Sequence, residues 1–181
     1  MRSRGVISIR GNHDNAVASG VVSGFNARAA MAALWTRSHL DDDSLDYLRS
    51  LPLFLTVEAE GVRIHMTHGS PDDPLWEYVD PLTHSLVFAR YLEGVKADVL
   101  ALGHTHVPFV WQEERRLVFN PGSVGQPRNG DRRASFARLV VDKGSAYVER
   151  KTVEYDFAKA ARRIRDAGLP SQLAARLLQG A

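Results

Sequence analysis

Gly103-His104-Thr105-His106 places two imidazoles two residues apart. In an extended segment such a pair projects to one side. Two neutral imidazoles side by side suit a divalent ion such as zinc, manganese or iron; a pair of surface histidines in a loop is the competing reading. Gly103 allows close backbone approach to a ligand. Gly11-Asn12-His13-Asp14 puts three functions in adjacent positions. The Asn12 side-chain carbonyl can coordinate a hard divalent ion, and His13 can donate a proton or hold a phosphate oxygen. Asp14 can hydrogen-bond the imidazole and raise its basicity. Against this stands an Asx turn that caps the next helix. His68, in Thr67-His68-Gly69-Ser70-Pro71, is a third imidazole, either a ligand or a hydrogen-bonded structural group.

Other residues carry weaker signals. Asn120-Pro121-Gly122-Ser123 makes a turn whose backbone can approach an ion or phosphate. Arg128 is a candidate for holding an anionic substrate, and so is the Arg132-Arg133 pair, although exposed arginines are usually solvated. Trp76 and Tyr78 could wall a pocket; core packing is the expectation. His65 lies within a strand and is expected to meet solvent. His39 and His84 sit near helix ends, where capping and dipole roles suffice.

The elements that must position these residues follow from pattern. Gly5 to Arg10 reads as a short strand. Helices are expected at Asn26 to Ser38, from the acidic run Asp41-Asp42-Asp43 with Leu45, Tyr47 and Leu48 facing the core, and around Leu82, Leu86 and Ala89, closing near Gly94. Leu53 to Glu58 and Val62 to Thr67 form a hairpin about Gly61, and Asp98 to Leu102 is a compact apolar strand. Phe109 to Gln112 pairs with Leu117 to Asn120, and Ser135 to Val141 with Tyr147 to Val153. Two helices, Phe157 to Ala167 and Ser171 to Leu178, close the chain. Three polar clusters and the Asn120 turn each follow a strand. Ligands of open α/β sheets sit beyond the carboxyl ends of strands, so these loops should converge on one place.

The chain has 181 residues, 44% hydrophobic and 24% charged, with no cysteine. That fits one mixed α/β domain and excludes disorder, disulfides, thiolate metal sites and cysteine nucleophiles. A net charge of +2 argues for no nucleic-acid partner beyond a nucleic acid met as substrate. The Arg162, Arg163 and Arg165 run faces away from Phe157, Ala160, Ala161 and Ile164, as a solvated helix face would. No apolar run approaches the ~18 residues of a membrane span. Met1 to Arg10, basic at Arg2 and Arg4, lacks a signal-peptide core, so a cytoplasmic location without a membrane partner is expected.

The order Gly-Asn-His-Asp, His-Gly-Ser-Pro, Gly-His-Thr-His, Asn-Pro-Gly-Ser closely resembles the calcineurin-like metallophosphoesterase family, in particular bacterial phosphodiesterase-type members, over Gly5 to about Val153. The resemblance implies a four-layer α/β/β/α sandwich holding two divalent ions (manganese, iron, zinc or nickel) that hydrolyses phosphate mono- or diesters. It implies that Asn12, His68 and His104 ligate the second metal and His106 the first, with His13 as the acid for the leaving group and Asp14 orienting it. The expected division is a phosphoesterase domain over residues 1–155 and a C-terminal helical extension over 156–181.

The family also has an Asp-x-His motif and then a Gly-Asp motif ahead of Gly-Asn-His-Asp, and nothing of the kind fits into Met1 to Arg10. Gly130-Asp131 lies after the histidine clusters and is no substitute. Two strand-plus-helix units, on the order of 60 residues, are expected to be missing. Without their carboxylates, two dications about 4 Å apart would repel by about 4 kcal/mol even in water. The expectation is an N-terminally truncated sandwich holding at most one ion weakly, with impaired hydrolysis. The alternative is a non-catalytic metal-binding or protein-interaction domain on the same scaffold.

Overall fold

The computed structural model describes residues 5–181; Arg2 and Arg4 lie outside them. Val99, Leu100, Leu117 and Val118 are all fully buried. Adjacent residues of a strand point to opposite faces, so burial of both neighbours requires a sheet covered on both sides, the usual condition of parallel strands. β2 (Val62–Thr67), β3 (Val99–Ala101) and β5 (Arg116–Asn120) do run parallel, with Ile64 opposite Val99 and Val99 opposite Leu117. β1 (Phe54–Ala59) and β4 (Phe109–Glu113) pair antiparallel at the edges, giving the order β1-β2-β3-β5-β4. β6 (Ala134–Asp142) and β7 (Ser145–Val153) form a second, two-stranded sheet.

One face of the larger sheet offers Leu100, Phe109 and Val118 to Phe88, Tyr91 and Leu92 of α4 (Ser85–Val95). The other offers Val62, Ile64, Val99, Leu117 and Phe119 to Leu139 and Val141 of β6 and to Ala146 and Val148 of β7. Helix, sheet and sheet therefore stack in the order α/β/β. Three further helices, α1 (Asn12–Ser19), α2 (Ala27–Ser38) and α3 (Asp42–Ser50), gather around Ala16, Val17, Ala33 and Leu45. Asn26 caps α2 and Asp41 caps α3, each accepting the backbone N–H three residues on. α5 (Phe157–Asp166) and α6 (Ser171–Gln179) end the chain. Arg162, Arg163 and Arg165 are exposed while Ala161 is fully buried, the arrangement of a solvated helix face.

Four expectations are corrected. Gly5 to Arg10 is not a strand: it forms no ladder with the described strands, and its backbone is tied by the Arg10 N–H to the Pro52 carbonyl at 2.7 Å. A strand needs a neighbour, and apolar residues alone do not supply one. Gly11 to Asp14 is not a cluster that follows a strand: Gly11 is the N-cap of α1, Asn12, His13 and Asp14 form its first turn, and Asp14 serves as a cap. The apolar stripe of α4 is rotated from the one expected: Leu82 is 92% and Leu86 72% exposed, and Phe88, Tyr91 and Leu92 face the core. The helix starts at Ser85, so Leu82 precedes it, and it closes near Gly94 as expected, ending at Val95. His65 is buried rather than solvated, bonded to the Thr56 hydroxyl at 2.9 Å and stacked on Phe54. His39 and His84 do take capping positions, His39 closing α2 and His84 accepting the Leu86 N–H.

Leu100→Ala is expected to cost about 2–5 kcal/mol by opening a cavity between α4 and the sheet. Leu82→Ala should change stability by less than about 0.5 kcal/mol. Urea denaturation midpoints of the two variants check the assignment of the core face.

Candidate active site

The three parallel strands end on one edge, and each delivers a polar group there. β2 runs into His68, β3 into Gly103 and His104, and β5 ends at Asn120. The main chain ties these ends together: Gly103 N–H donates to the His68 carbonyl and Leu102 N–H to the Phe119 carbonyl, both at 2.9 Å. α1 enters from the side with Asn12 and His13 in its first turn.

The side chains form a connected chain. His104 Nε2 lies 3.1 Å from the Trp76 carbonyl, which only accepts, so Nε2 carries the proton and Nδ1 a lone pair. That lone pair faces His68 Nε2 at 3.2 Å, and the same His68 nitrogen lies 3.0 Å from Asn12 Oδ1. His68 Nε2 thus faces both the Asn12 oxygen and the His104 nitrogen. The ring of His68 is held from behind by two glycines: a Cβ on Gly11 would come within 3.0 Å of it and one on Gly103 within 3.3 Å. Side-chain-free backbone at these two positions lets α1 and the β3 loop close on the imidazole.

His104 and His106 are not in an extended segment, as their spacing suggested. Both take left-handed backbone conformations, with φ of 61° and 62°, which L residues adopt at a cost of about 1–2 kcal/mol each. Asn120, fully buried, holds the loop in this shape. Its Nδ2 donates to the Gly103 carbonyl at 2.5 Å and the Thr105 hydroxyl at 3.1 Å, and its Oδ1 accepts the Gly122 N–H at 2.9 Å. His106 Nδ1 donates to the Gln126 carbonyl at 2.7 Å, leaving Nε2 unprotonated in the neutral ring. Asn120 was visible in the sequence as part of a turn, but its amide clamp depends on strand ends 15 to 17 residues apart and left no local signal.

The loop after His68 is braced too. Ser70 hydrogen-bonds Glu77, whose other oxygen accepts from Tyr91 of α4 at 2.9 Å. The Ser70 hydroxyl also accepts the Asp72 and Asp73 N–H groups, so the segment that presents the Trp76 carbonyl to His104 is fixed at both ends. Trp76 and Tyr78 are not core. They are 37% and 60% exposed, and Tyr78 lies over His104 with ring centroids 4.2 Å apart. Together with Phe25 they wall a cavity of about 140 Å³ that Asn12, His13, His104, His106 and Arg128 also line. His68 stands beside it, joined to Asn12 and His104.

Asp14 accepts the Gly11 N–H at 2.8 Å and so caps α1; its effect on His13 is through its charge, not through the expected hydrogen bond. The His13 pKa is lowered by partial burial, raised by Asp14 and lowered again by Arg128. His68 is pushed down to about 4 by burial and by His104, His106 and His13 around it. His104 and His106 also titrate below the usual range, through burial first and then partly through Arg128. The Arg132-Arg133 pair is engaged elsewhere: Arg132 lies over the Phe157 ring at 4.0 Å, and Arg133 pairs with Asp131 at 2.6 Å, which pulls that carboxyl down to about 2. Among the described residues no three His, Cys, Asp or Glu side chains are grouped to hold a metal. The convergent donors are instead two imidazoles and an amide, which suit a borderline divalent ion.

The family model for the calcineurin-like phosphoesterase superfamily domain matches residues 1–144. An uncharacterized protein of Methanocaldococcus jannaschii is 33% identical over 199 residues, covering 99% of this chain and 78% of that protein. A probable metallophosphoesterase of Methanothermobacter thermautotrophicus is 36% identical over 95 residues, 51% of this chain and 49% of its own. The crystal structure of a metallophosphoesterase from Sphaerobacter thermophilus matches with a TM-score of 0.79 at 33% identity, covering 97% of this chain and 77% of that one. A hypothetical protein from Pyrococcus horikoshii shares the fold with a TM-score of 0.84 at 24% identity, over 96% of this chain and 72% of that one.

Two outcomes are expected from this geometry. Asn120→Ala strands the Gly122 N–H, leaves the Gly103 carbonyl with the Thr105 N–H alone, and should cost about 1–3 kcal/mol. It should also shift the His104 and His106 ring signals in proton NMR, whereas Arg133→Ala should leave them in place. The second outcome concerns acid. Unfolded imidazoles titrate near about 6.5, above the folded values of His13, His65, His68, His104 and His106. Below that pH the unfolded chain binds more protons, so stability present above about 6.5 falls as the pH drops toward 4. Denaturation midpoints in a metal chelator at pH 7.5, 6 and 5 should decrease in that order; a flat profile contradicts it.

Proposed function

This chain belongs to the calcineurin-like phosphoesterase superfamily, and from that membership we propose that its cavity at the strand ends binds a phosphate mono- or diester and hydrolyses it with divalent-metal assistance. The observation that carries the reading is the convergence of Asn12 Oδ1, His68 Nε2 and His104 Nδ1 at 3.0 and 3.2 Å. Donors that share one ion through bonds of about 2.1 Å stand about 3.0–3.4 Å apart, so this spacing fits a common ion. Asn12, His68 and His104 would hold it, and His106 is the one imidazole left for a second ion. Bound divalent ions polarise the phosphoryl oxygens and stabilise the charge that builds on them.

The chain's own residues do the rest. Arg128 supplies fixed positive charge beside His13, His104 and His106 and attracts the phosphate. His13 carries a proton to the leaving oxygen. As the phosphorus–oxygen bond breaks, its electron pair stays on that oxygen, which takes the His13 proton. The oxygen of water forms the new bond to phosphorus and releases its proton to solvent. The negative charge of bound phosphate offsets Arg128 and so favours the protonated His13 that this step requires.

Every candidate ligand is neutral. The sequence contains no Asp-x-His, and the Asp131 of its one Gly-Asp pair is committed to Arg133. We therefore read this chain as holding at most one ion, weakly, with impaired hydrolysis. Manganese-dependent cleavage of bis(p-nitrophenyl) phosphate should be slight with the 181 residues and rise when a segment bearing Asp-x-His and Gly-Asp is grafted ahead of Gly5. In the grafted protein His13→Ala should lower kcat by about 100-fold or more without reducing manganese content. A metal-loaded graft that cleaves neither monoesters nor diesters refutes the reading.

A further inference from the structure

We infer that the helical hairpin α5–α6 forms the seat for the alcohol part of the ester, and that this alcohol is bulky and apolar. The inference rests on the phosphoesterase reading above. A second cavity, of about 260 Å³, adjoins the one that holds His104 and His106. The two share His13, Asn26, Ala29 and Arg128, so these residues form the neck between them. Beyond the neck the wall is mainly aliphatic, with Ile164 of α5, Leu169 of the connecting turn, and Leu173 and Leu177 of α6, and it includes Gln126 and Arg176.

The position of His13 makes this arrangement chemically useful. A group that hands its proton to a leaving oxygen must stand between phosphorus and the departing alcohol. With phosphate on the His104–His106 side, an alcohol in the second cavity puts its bridging oxygen at the neck, beside His13. The charges agree. No aspartate or glutamate lines either cavity, and both Arg128 and Arg176 line the second. Neither arginine forms an ion pair among the described residues. The cavity is thus suited to an anionic ester rather than to a neutral or cationic guest. The chemistry of the wall selects the alcohol. Ile164, Leu169, Leu173 and Leu177 shelter an aromatic or branched aliphatic group from water, and a sugar or glycerol group set against these four would lose water partners that they do not replace; Gln126 and Arg176 are the polar members of the same lining.

Two non-hydrolysable probes separate the two halves of the site: methylphosphonate, which is little more than the phosphate, and 1-naphthylmethylphosphonate, which adds a bulky apolar arm. With manganese present, calorimetry should show the naphthyl compound binding at least tenfold tighter, with NMR contacts from its ring to the Leu173 and Leu177 methyl groups. Leu173→Ser should remove most of that advantage and leave methylphosphonate affinity unchanged, which also reports that the variant is folded. Equal affinity for the two probes, or ring contacts to Trp76 and Tyr78 instead, overturns the assignment of α5–α6 while the phosphate seat stands. Failure of both probes to bind overturns the phosphate seat and this inference with it.

Discussion

The site depends on one buried amide. Asn120 closes β5, the last of the three parallel strands, and spends both of its N–H groups and its carbonyl on the backbone and hydroxyl of two neighbouring loops. Those bonds hold His104 and His106 in backbone conformations that neither would choose alone. Because Asn120 has no exposure, water cannot replace any partner it loses, and the loop geometry is fixed as firmly as the sheet itself. The strain at the two histidines is stored where chemistry is expected and is balanced by a polar network beneath it.

A second brace works from the opposite side. Tyr91 of α4 and Ser70 hold Glu77, and Glu77 lies next to the Trp76 whose carbonyl sets the tautomer of His104. The helix that covers one face of the sheet through Phe88 and Leu92 therefore also sets which nitrogen of His104 is free. Burial of the imidazoles keeps them neutral, the state in which their lone pairs can bind a cation. Packing and ligand chemistry are here one constraint, because the same burial that stabilises the fold lowers the proton affinity of the site. The α5–α6 hairpin lines the second cavity, beyond the neck formed by His13, Asn26, Ala29 and Arg128.

Much of this was legible in residue order. The hairpins about Gly61 and between Asp142 and Ser145, the helix cap at Asp41, and the apolar runs of β3 and β5 are local patterns, and each formed where its residues indicated. The failures share a cause. Gly5 to Arg10 has strand-like residues, but a strand exists only beside another. His65 alternates like a surface residue, yet Phe54 and Thr56 of the adjacent strand cover it. Leu82 and Leu86 looked like a core stripe until the start of α4 at Ser85 set its rotation. Trp76 and Tyr78 were expected inside and line the cavity instead, because the Ser70–Glu77 brace turns their loop outward.

The sequence by itself determined which groups are available: four imidazoles and one amide after strands or at a helix start, a cationic Arg128, no thiol, and no carboxylate among the candidate ligands. These are properties of residue type and order, and no fold can alter them. The tertiary structure decided their mutual geometry. It set the 3.0 and 3.2 Å spacing of Asn12, His68 and His104, committed Asp14 to a helix cap, and joined His13 to the cavity under α6. Those outcomes depend on residues tens of positions apart meeting at one edge of a parallel sheet, and contacts of that range leave no periodic trace in the chain.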